Sequence, residues 1–408
     1  MESDTSRQER EQDRRVSRRD FLHQTAVGLA AAGIGSAALA APPKSRGQSQ
    51  QFTAAPGDDA GTGMPYIGIP ACQIRISRVM IGPAPQAVQT RMIQYGCNYL
   101  HKVDGCGSQQ FLRQLDWDFF YCDVVLDKLN RDEVIQEFEQ RRSKAGLDVV
   151  HFFKIHATLK TPEDLERYPS VFEAFQTLRD QGKTKWLATS LHSGAEMLDA
   201  CVESGLFTQI QIGFNPTKIS DQATYRAIAK AQEKGLAIVS MKVFMGGPSK
   251  WENNPQVRQV LQQYWPEGTT AAQAVARWNL AQPGITAIVP ACSNVEQAES
   301  ACTAVGAQLQ AWEREGVEAL GAALSDSFCR SCRHCEGVCP SGLPISDLLR
   351  YRMYAADYGE VAGARALYHA LPRDQRADRC SDCGACEEAC PYNLKVTAML
   401  SETRRLLA

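Results

Sequence analysis

Eight of the chain's 15 cysteines fall between Cys329 and Cys390, in two runs of identical spacing. The first reads Cys329-x2-Cys332-x2-Cys335-x3-Cys339-Pro340, and the second Cys380-x2-Cys383-x2-Cys386-x3-Cys390-Pro391. Three cysteines on one tight loop reach three corners of a cubane of four irons and four sulfides, and a more distant cysteine takes the fourth. Zinc usually takes two CxxC pairs, without a third cysteine at the next step or a trailing proline. A disulfide scaffold has no reason to repeat one spacing twice. The chemistry implied is one-electron transfer through two [4Fe-4S] clusters with these eight thiolates as ligands.

The cysteine runs need short loops held by helices. Between them, Ile345 to Tyr358 and Val361 to Ala370 carry apolar residues at helical spacing, broken by Gly359 and Pro372. Residues 326–408 resemble the helical kind of dicluster ferredoxin domain, with a long insert between the runs. In such domains the last cysteine of each run ligates the other run's cluster. The resemblance implies that Cys329, Cys332, Cys335 and Cys390 hold one cluster. Cys380, Cys383, Cys386 and Cys339 hold the second.

The N-terminus reads as an address. Ser17-Arg18-Arg19-Asp20-Phe21-Leu22 precedes an Ala- and Gly-rich stretch, Gln24 to Ala40, that ends in Ala38-Leu39-Ala40 before Ala41-Pro42. Paired arginines, a short apolar run and a small-x-small site in that order resemble a twin-arginine (Tat) signal over residues 1–41. A basic arm with an Ala-rich helix is the plainer alternative. The Tat route carries folded proteins, so clusters inserted beforehand would not cross an oxidising compartment as bare thiols. The expectation is a periplasmic or extracytoplasmic protein without a membrane span in its mature chain. Residues 42–63, rich in Pro, Gly, Ser and Gln, read as a linker.

Between linker and cysteine runs, residues 64–325 alternate strand and helix. Short apolar runs recur at Ile74–Ile81, Cys97–Leu100, Phe119–Val125, Val149–Ile155, Trp186–Thr189, Gln209–Phe214, Ala237–Val243 and Ile285–Val289. Helical segments such as Asp132–Ala145, Pro162–Gln181, Ala195–Ser204 and Asp221–Lys234 separate many of them. About eight such units over about 250 residues fit an α/β fold, a (β/α)8 TIM barrel followed by a small helical two-cluster ferredoxin domain. A doubly wound sheet fits less well, because no G-x-G-x-x-G follows the early strands. Barrel sites lie just after the strands.

In that light the barrel resembles the aldo/keto reductases. The resemblance rests on Ile76-Ser77-Arg78-Val79-Met80-Ile81-Gly82, Gly96-Cys97-Asn98-Tyr99-Leu100, and Leu147-Asp148-Val149-Val150-His151 through His156. Thr189-Ser190, Asn215-Pro216, Met241-Lys242 and Val289 to Gln297 follow in the family's order. The family's tetrad is Asp, Tyr, Lys and His, with the Tyr as general acid to a carbonyl receiving hydride. Carried over by position, His101 stands for the Asp, Cys106 for the Tyr and Asp123 for the Lys, while His156 is retained. The candidate catalytic residues are therefore His156, Cys106, His101 and Asp123, in a tetrad largely lost. A thiol titrates near ~8.5 and becomes a donor or nucleophile if a cation lies beside it. Cys97 and Cys122 read as packing residues and His151 as structural. His192 and Lys242 follow the fifth and seventh strands and could face the pocket, although a lone residue of either kind is more often a surface group.

The same resemblance places Ser190, Gln211, Ser293, Asn294 and Gln297 near positions that contact a nicotinamide dinucleotide. The Asn that usually follows the Ser is Leu191, the Gly before Cys292 is Ala291, and that last loop lacks an evident Arg for a 2′-phosphate. NAD(P)H delivers two electrons as hydride, whereas the clusters pass one at a time. The composition, 44% hydrophobic and 22% charged with a net charge of −2 over 408 residues, is that of a globular chain and gives nucleic acid no reason to bind. The reading is an exported iron–sulfur oxidoreductase acting with a redox partner protein or a small-molecule substrate. The alternative is a non-catalytic electron-transfer or scaffold subunit with a vestigial barrel.

Overall fold

The computed structural model describes residues 63–156, 158–265 and 270–408. The expected Tat signal and nearly all of the expected linker lie outside the described residues. All described residues belong to one compact unit, Gln50–Ala408.

Seven parallel strands pair in chain order: β3 (Tyr99–Leu100), β4 (Tyr121–Leu126), β5 (Val150–His156), β6 (Thr184–Leu191), β7 (Gln209–Gly213), β8 (Ala237–Met241) and β9 (Ile285–Ile288). Helices cover their outer face, so both faces are dry and the strands read as nearly unbroken apolar runs. Every residue of β8 is buried, and every residue of β5 but the last. The stave Val79–Ile81 closes the ring between β9 and β3, bridging Ile288 on one side and Leu100 on the other. Its backbone bonds are Met80 N to Ile288 O (2.9 Å), Ile81 N to Tyr99 O (2.8 Å) and His101 N to Ile81 O (2.7 Å). The expected barrel is thus closed by eight staves.

Two expected elements divide. The run Ile74–Ile81 is not one strand: Ile74–Ser77 (β2) pairs antiparallel with Tyr66–Ile69 (β1), and only Val79–Ile81 joins the barrel. The break falls at Arg78, whose guanidinium donates to Leu280 O and Ile285 O. An apolar run does not reveal where a chain bends. Pro162–Gln181 likewise separates into a turn at Asp164–Arg167 and a helix, Pro169–Asp180, because Pro169 has no amide hydrogen to continue the first. Ala195–Ser204 is helical as expected and follows β6.

The C-terminal segment is helical. Helices Ile345–Asp357 (α1), Val361–Ala370 (α2) and Val396–Leu407 (α3) enclose a core that includes Leu348, Leu349, Tyr368, Leu400 and Leu407. Among the described residues no helix is long and apolar enough to cross a membrane.

Candidate metal centres and the barrel-mouth cavity

The backbone of the two cysteine runs repeats at one constant offset. In the first loop Ser331 and Arg333 adopt left-handed φ (58° and 64°); in the second, Asp382 and Gly384 do so at the equivalent positions (54° and 80°). These reversals wrap the chain so that thiols two residues apart face one centre. Glu336, just after the third cysteine, accepts from Ser346 N in the first turn of α1 at 2.9 Å. Its equivalent, Glu387, accepts from Thr397 N in the first turn of α3, also at 2.9 Å. Each carboxylate thereby satisfies one of a helix's orphan amides.

Cys329, Cys332, Cys335 and Cys390 line one cavity, together with Leu349, Leu394 and Val396. Cys339, Cys380, Cys383 and Cys386 line another, with Leu343, Ile345 and Leu400. The structure therefore gathers the eight cysteines into the two crossed sets that the resemblance implied. Among the described residues no group of three or more His, Cys, Asp or Glu closes on a single metal ion. The thiols instead surround a space walled by aliphatic side chains, a soft and dry donor set of the kind a four-iron cluster takes.

The first loop is seated on the C-terminal end of the barrel. Arg330, buried, donates twice to Thr217 O (3.2 and 3.0 Å), in the turn after β7, and also to Ser325 O. Its guanidinium lies 4.2 Å over the Tyr392 ring. Gly194, after β6, approaches so closely that a Cβ there would stand 3.2 Å from the Cys332 Cα. Lys160, after β5, pairs with the buried Asp347 of α1 at 2.6 Å.

A cavity of about 40 Å³ lies at this junction, walled by Cys329 and Arg350 from the C-terminal segment and by His192, Asn215, Lys218 and Lys242 from the barrel. Sequence position left His192 and Lys242 between a pocket-facing and a surface place; the fold turns both into the cavity. Lys242 Nζ donates to His192 Nδ1 at 3.0 Å, which makes Nε2 the protonated nitrogen of His192. That nitrogen faces His156 Nε2 at 3.3 Å, and His156 Nδ1 donates to Asp127 at 2.6 Å. One tautomer per ring satisfies the whole line. Burial, with Lys242 and Arg350 close by, holds His192 well below the ordinary imidazole value. Burial, with Arg350 and Lys218, pulls Lys242 down to about 7. At the far end the Asp127 side chain is 55% exposed, so the line joins cavity to solvent.

The other tetrad positions are sealed inside the barrel. Asp123 is fully buried, 3.0 Å from His101 Nδ1 and 2.7 Å from Lys154 Nζ. Burial alone would raise it, but the His101 ring and the Lys154 ammonium hold it well below the carboxylate range. Burial, against the pull of Asp123, brings His101 down to about 4. Cys106 is buried, its Sγ donates to His101 O at 3.4 Å, and burial pushes its thiol far up. There it packs as a neutral thiol. Sequence reasoning missed Lys154, although strand alternation carried the signal. It stands two residues before His156 on β5 and so shares its face.

The five candidate dinucleotide contacts form two groups. Ser190 Oγ and Gln211 Nε2 are buried and both donate to Met241 Sδ, while Gln211 Oε1 accepts from Lys154. Ser293, Asn294 and Gln297 are exposed at the start of helix Val295–Ala304, where Asn294 caps Gln297 N and Gln297 Oε1 accepts from Ser293 N. His151 is stacked between Trp117 and Trp186, and Cys97 packs against Cys302.

Residues 120–321 match the model of the Aldo/keto reductase family, and residues 328–394 match that of the 4Fe-4S dicluster domain. The fold is similar to the holo form of aldo-keto reductase AKR11C1 from Bacillus halodurans, at 12% identity and a TM-score of 0.51, covering 63% of this chain and 96% of that one. The apo form of the same protein, with the same coverage, gives 13% and 0.49. No curated protein matches the chain. The chain therefore joins an aldo/keto reductase-like domain to a C-terminal 4Fe-4S dicluster domain.

Proposed function

We propose that the protein is an exported iron–sulfur oxidoreductase in which single electrons pass between the barrel-mouth cavity and a partner through two [4Fe-4S] clusters. The observation that carries this is the contrast between the two cysteine runs: Cys329 of the first lines the cavity at the barrel mouth, whereas Cys383 of the second is exposed. When bound, the clusters supply one-electron transfer, with Cys329, Cys332, Cys335 and Cys390 holding one and Cys339, Cys380, Cys383 and Cys386 the other. Lys242 and His192 hold protons at the cavity wall, and His156 and Asp127 link them to solvent. Electron and proton therefore arrive by separate routes. A redox partner protein docks over the exposed second loop. Hydride chemistry on the tetrad pattern is not part of this reading, since Cys106 is buried and lies next to no acid-activating lysine.

Anaerobic titration of the purified holo-protein tests the proposal. The expected content is about eight irons and eight acid-labile sulfides per chain. The visible absorption should bleach with a low-potential dye and stay unchanged with NADPH or NADH. Tightly bound zinc without charge-transfer absorption would sink the cluster assignment. Robust NADPH oxidation abolished by Cys106→Ala would restore the hydride reading. If no small molecule reoxidises the reduced protein while a partner protein does, the barrel serves as scaffold. Export is tested with Arg18 and Arg19 both changed to Lys, which should leave a cluster-loaded precursor in the cytoplasm.

A further inference from the structure

The walls of the barrel-mouth cavity are charged on one side only. Lys218, Lys242, Arg330, Arg350 and Arg352 line it, and no carboxylate does. Three of these cations are engaged elsewhere. Arg330 spends its donors on Thr217, Ser325 and Phe328 carbonyls. Arg350 is bonded to Asp347 at 2.8 Å, and Arg352 to Glu402 at 2.8 Å. The two lysines are different. Lys242 donates to the neutral His192 and stands 5.6 Å over the Tyr354 ring, and neither contact gives its ammonium an anion. Lys218 has its nearest carboxylate, Asp221, at 3.9 Å, beyond hydrogen-bond reach. Both ammonium groups come from the C-terminal end of the barrel, where ligands bind in this architecture.

Taking two ammonium groups out of water costs several kcal/mol each unless an anion accompanies them. A cavity of this size holds about three waters, the bulk of one carboxylate or one tetrahedral oxyanion. Asn215 cannot serve as that acceptor, because its Oδ1 takes Thr217 N and Oγ1 and its Nδ2 donates to Lys242 O.

We propose that this cavity binds the anionic group of a small carboxylate or oxyanion, with Lys242 and Lys218 as its two ammonium donors. The inference rests on the electron-transfer reading only in calling that anion the substrate; the binding site stands on the lysines alone. His192 orients Lys242 as a positioning residue.

Calorimetric titration of the oxidised holo-protein with sodium sulfate and with sodium acetate tests the site without any turnover. Saturable binding of either anion is expected, weakened by about tenfold or more in Lys242→Met and in Lys218→Met. The control Lys185→Met, a surface lysine, should bind as the wild type does. If one lysine variant fails to hold its iron, the other decides. Binding of neither anion, or equal binding in the lysine variants, overturns the proposal and leaves the cations as neutralisers of cluster charge. Dye reduction is measured on the same samples. Reduction without anion binding sinks this site alone, and anion binding without cluster reduction sinks the electron-transfer reading alone.

Discussion

Arg330 and Ser381 stand at the same place in the two cysteine loops, one residue after the first cysteine of each run. Arg330 is buried, bonded to the barrel turn at Thr217 and stacked on Tyr392. Ser381 is exposed, as are its neighbours Asp382 and Cys383. The local fold is nevertheless the same, with the same left-handed positions and the same glutamate cap on the following helix. A loop's backbone and thiol arrangement are thus set by its own sequence. What it packs against is set by the side chains between the cysteines. One loop is built against the barrel, the other against solvent.

Removing one thiolate from each loop gives the largest expected effect and the sharpest test of that contrast. Cys332→Ser and Cys383→Ser should each lose or convert one cluster, read as a fall in iron and in visible absorption. Only Cys332→Ser should also loosen the junction, read as new protease cleavage near Gly194 and Ser331. If both variants stay equally resistant, the first loop is not held to the barrel through its metal centre.

Next in size is the pair Arg330→Ala and Ser381→Ala. Losing Arg330 leaves the Thr217 carbonyl without its two donors and removes a stacked guanidinium, which should cost about 2–4 kcal/mol. Ser381→Ala, on the surface, should stay within about 0.5 kcal/mol. Thermal unfolding of the holo-proteins by circular dichroism measures both. Similar losses in the two variants would break the comparison.

The fold was largely legible because its signals are local. Cysteine spacing specified the metal-binding loops, and apolar runs located the staves to within a few residues. The bend at Arg78 escaped because its cause is a pair of carbonyls at Leu280 and Ile285, far along the chain. The site was read less completely. His156 was found through resemblance, but its partners come from strands far apart in sequence, and nothing local to His192 or Lys242 says that they meet. Lys154 was within reach, since its parity with His156 on β5 points it inward. Matching the lost tetrad position by position drew attention to Cys106 and away from these residues.

A smaller effect is expected at the point of closest approach. Gly194→Ala would place a methyl group 3.2 Å from the Cys332 Cα, a backbone atom that cannot rotate away. Gly194 has an ordinary extended conformation (φ −76°), so the substitution acts through packing and not through backbone strain. The cost should be about 1–2 kcal/mol. Absorption of the first cluster should shift while that of the second stays unchanged, which separates the two by site-specific reconstitution in Cys383→Ser and Cys332→Ser backgrounds.

The smallest effect probes what the two halves share. Glu336 and Glu387 cap α1 and α3 in the same way, each accepting one amide hydrogen at 2.9 Å. If the repeat is a true structural equivalence, Glu336→Ala and Glu387→Ala should each cost about 1 kcal/mol through the uncapped helix. Glu336 also bonds Arg333 Nε at 3.0 Å, which adds a partly buried ion pair that Glu387 lacks, because its half carries Gly384 at that position. The first variant should therefore lose slightly more, by about 0.5 kcal/mol, and Arg333→Gly should remove the difference. Urea unfolding of the four holo-proteins reads this directly. A loss at Glu387 larger than at Glu336 would mean that the exposed half depends on its cap more than the seated one. Contact with the barrel would then be supplying stability to the first loop that the second must draw from its own helix.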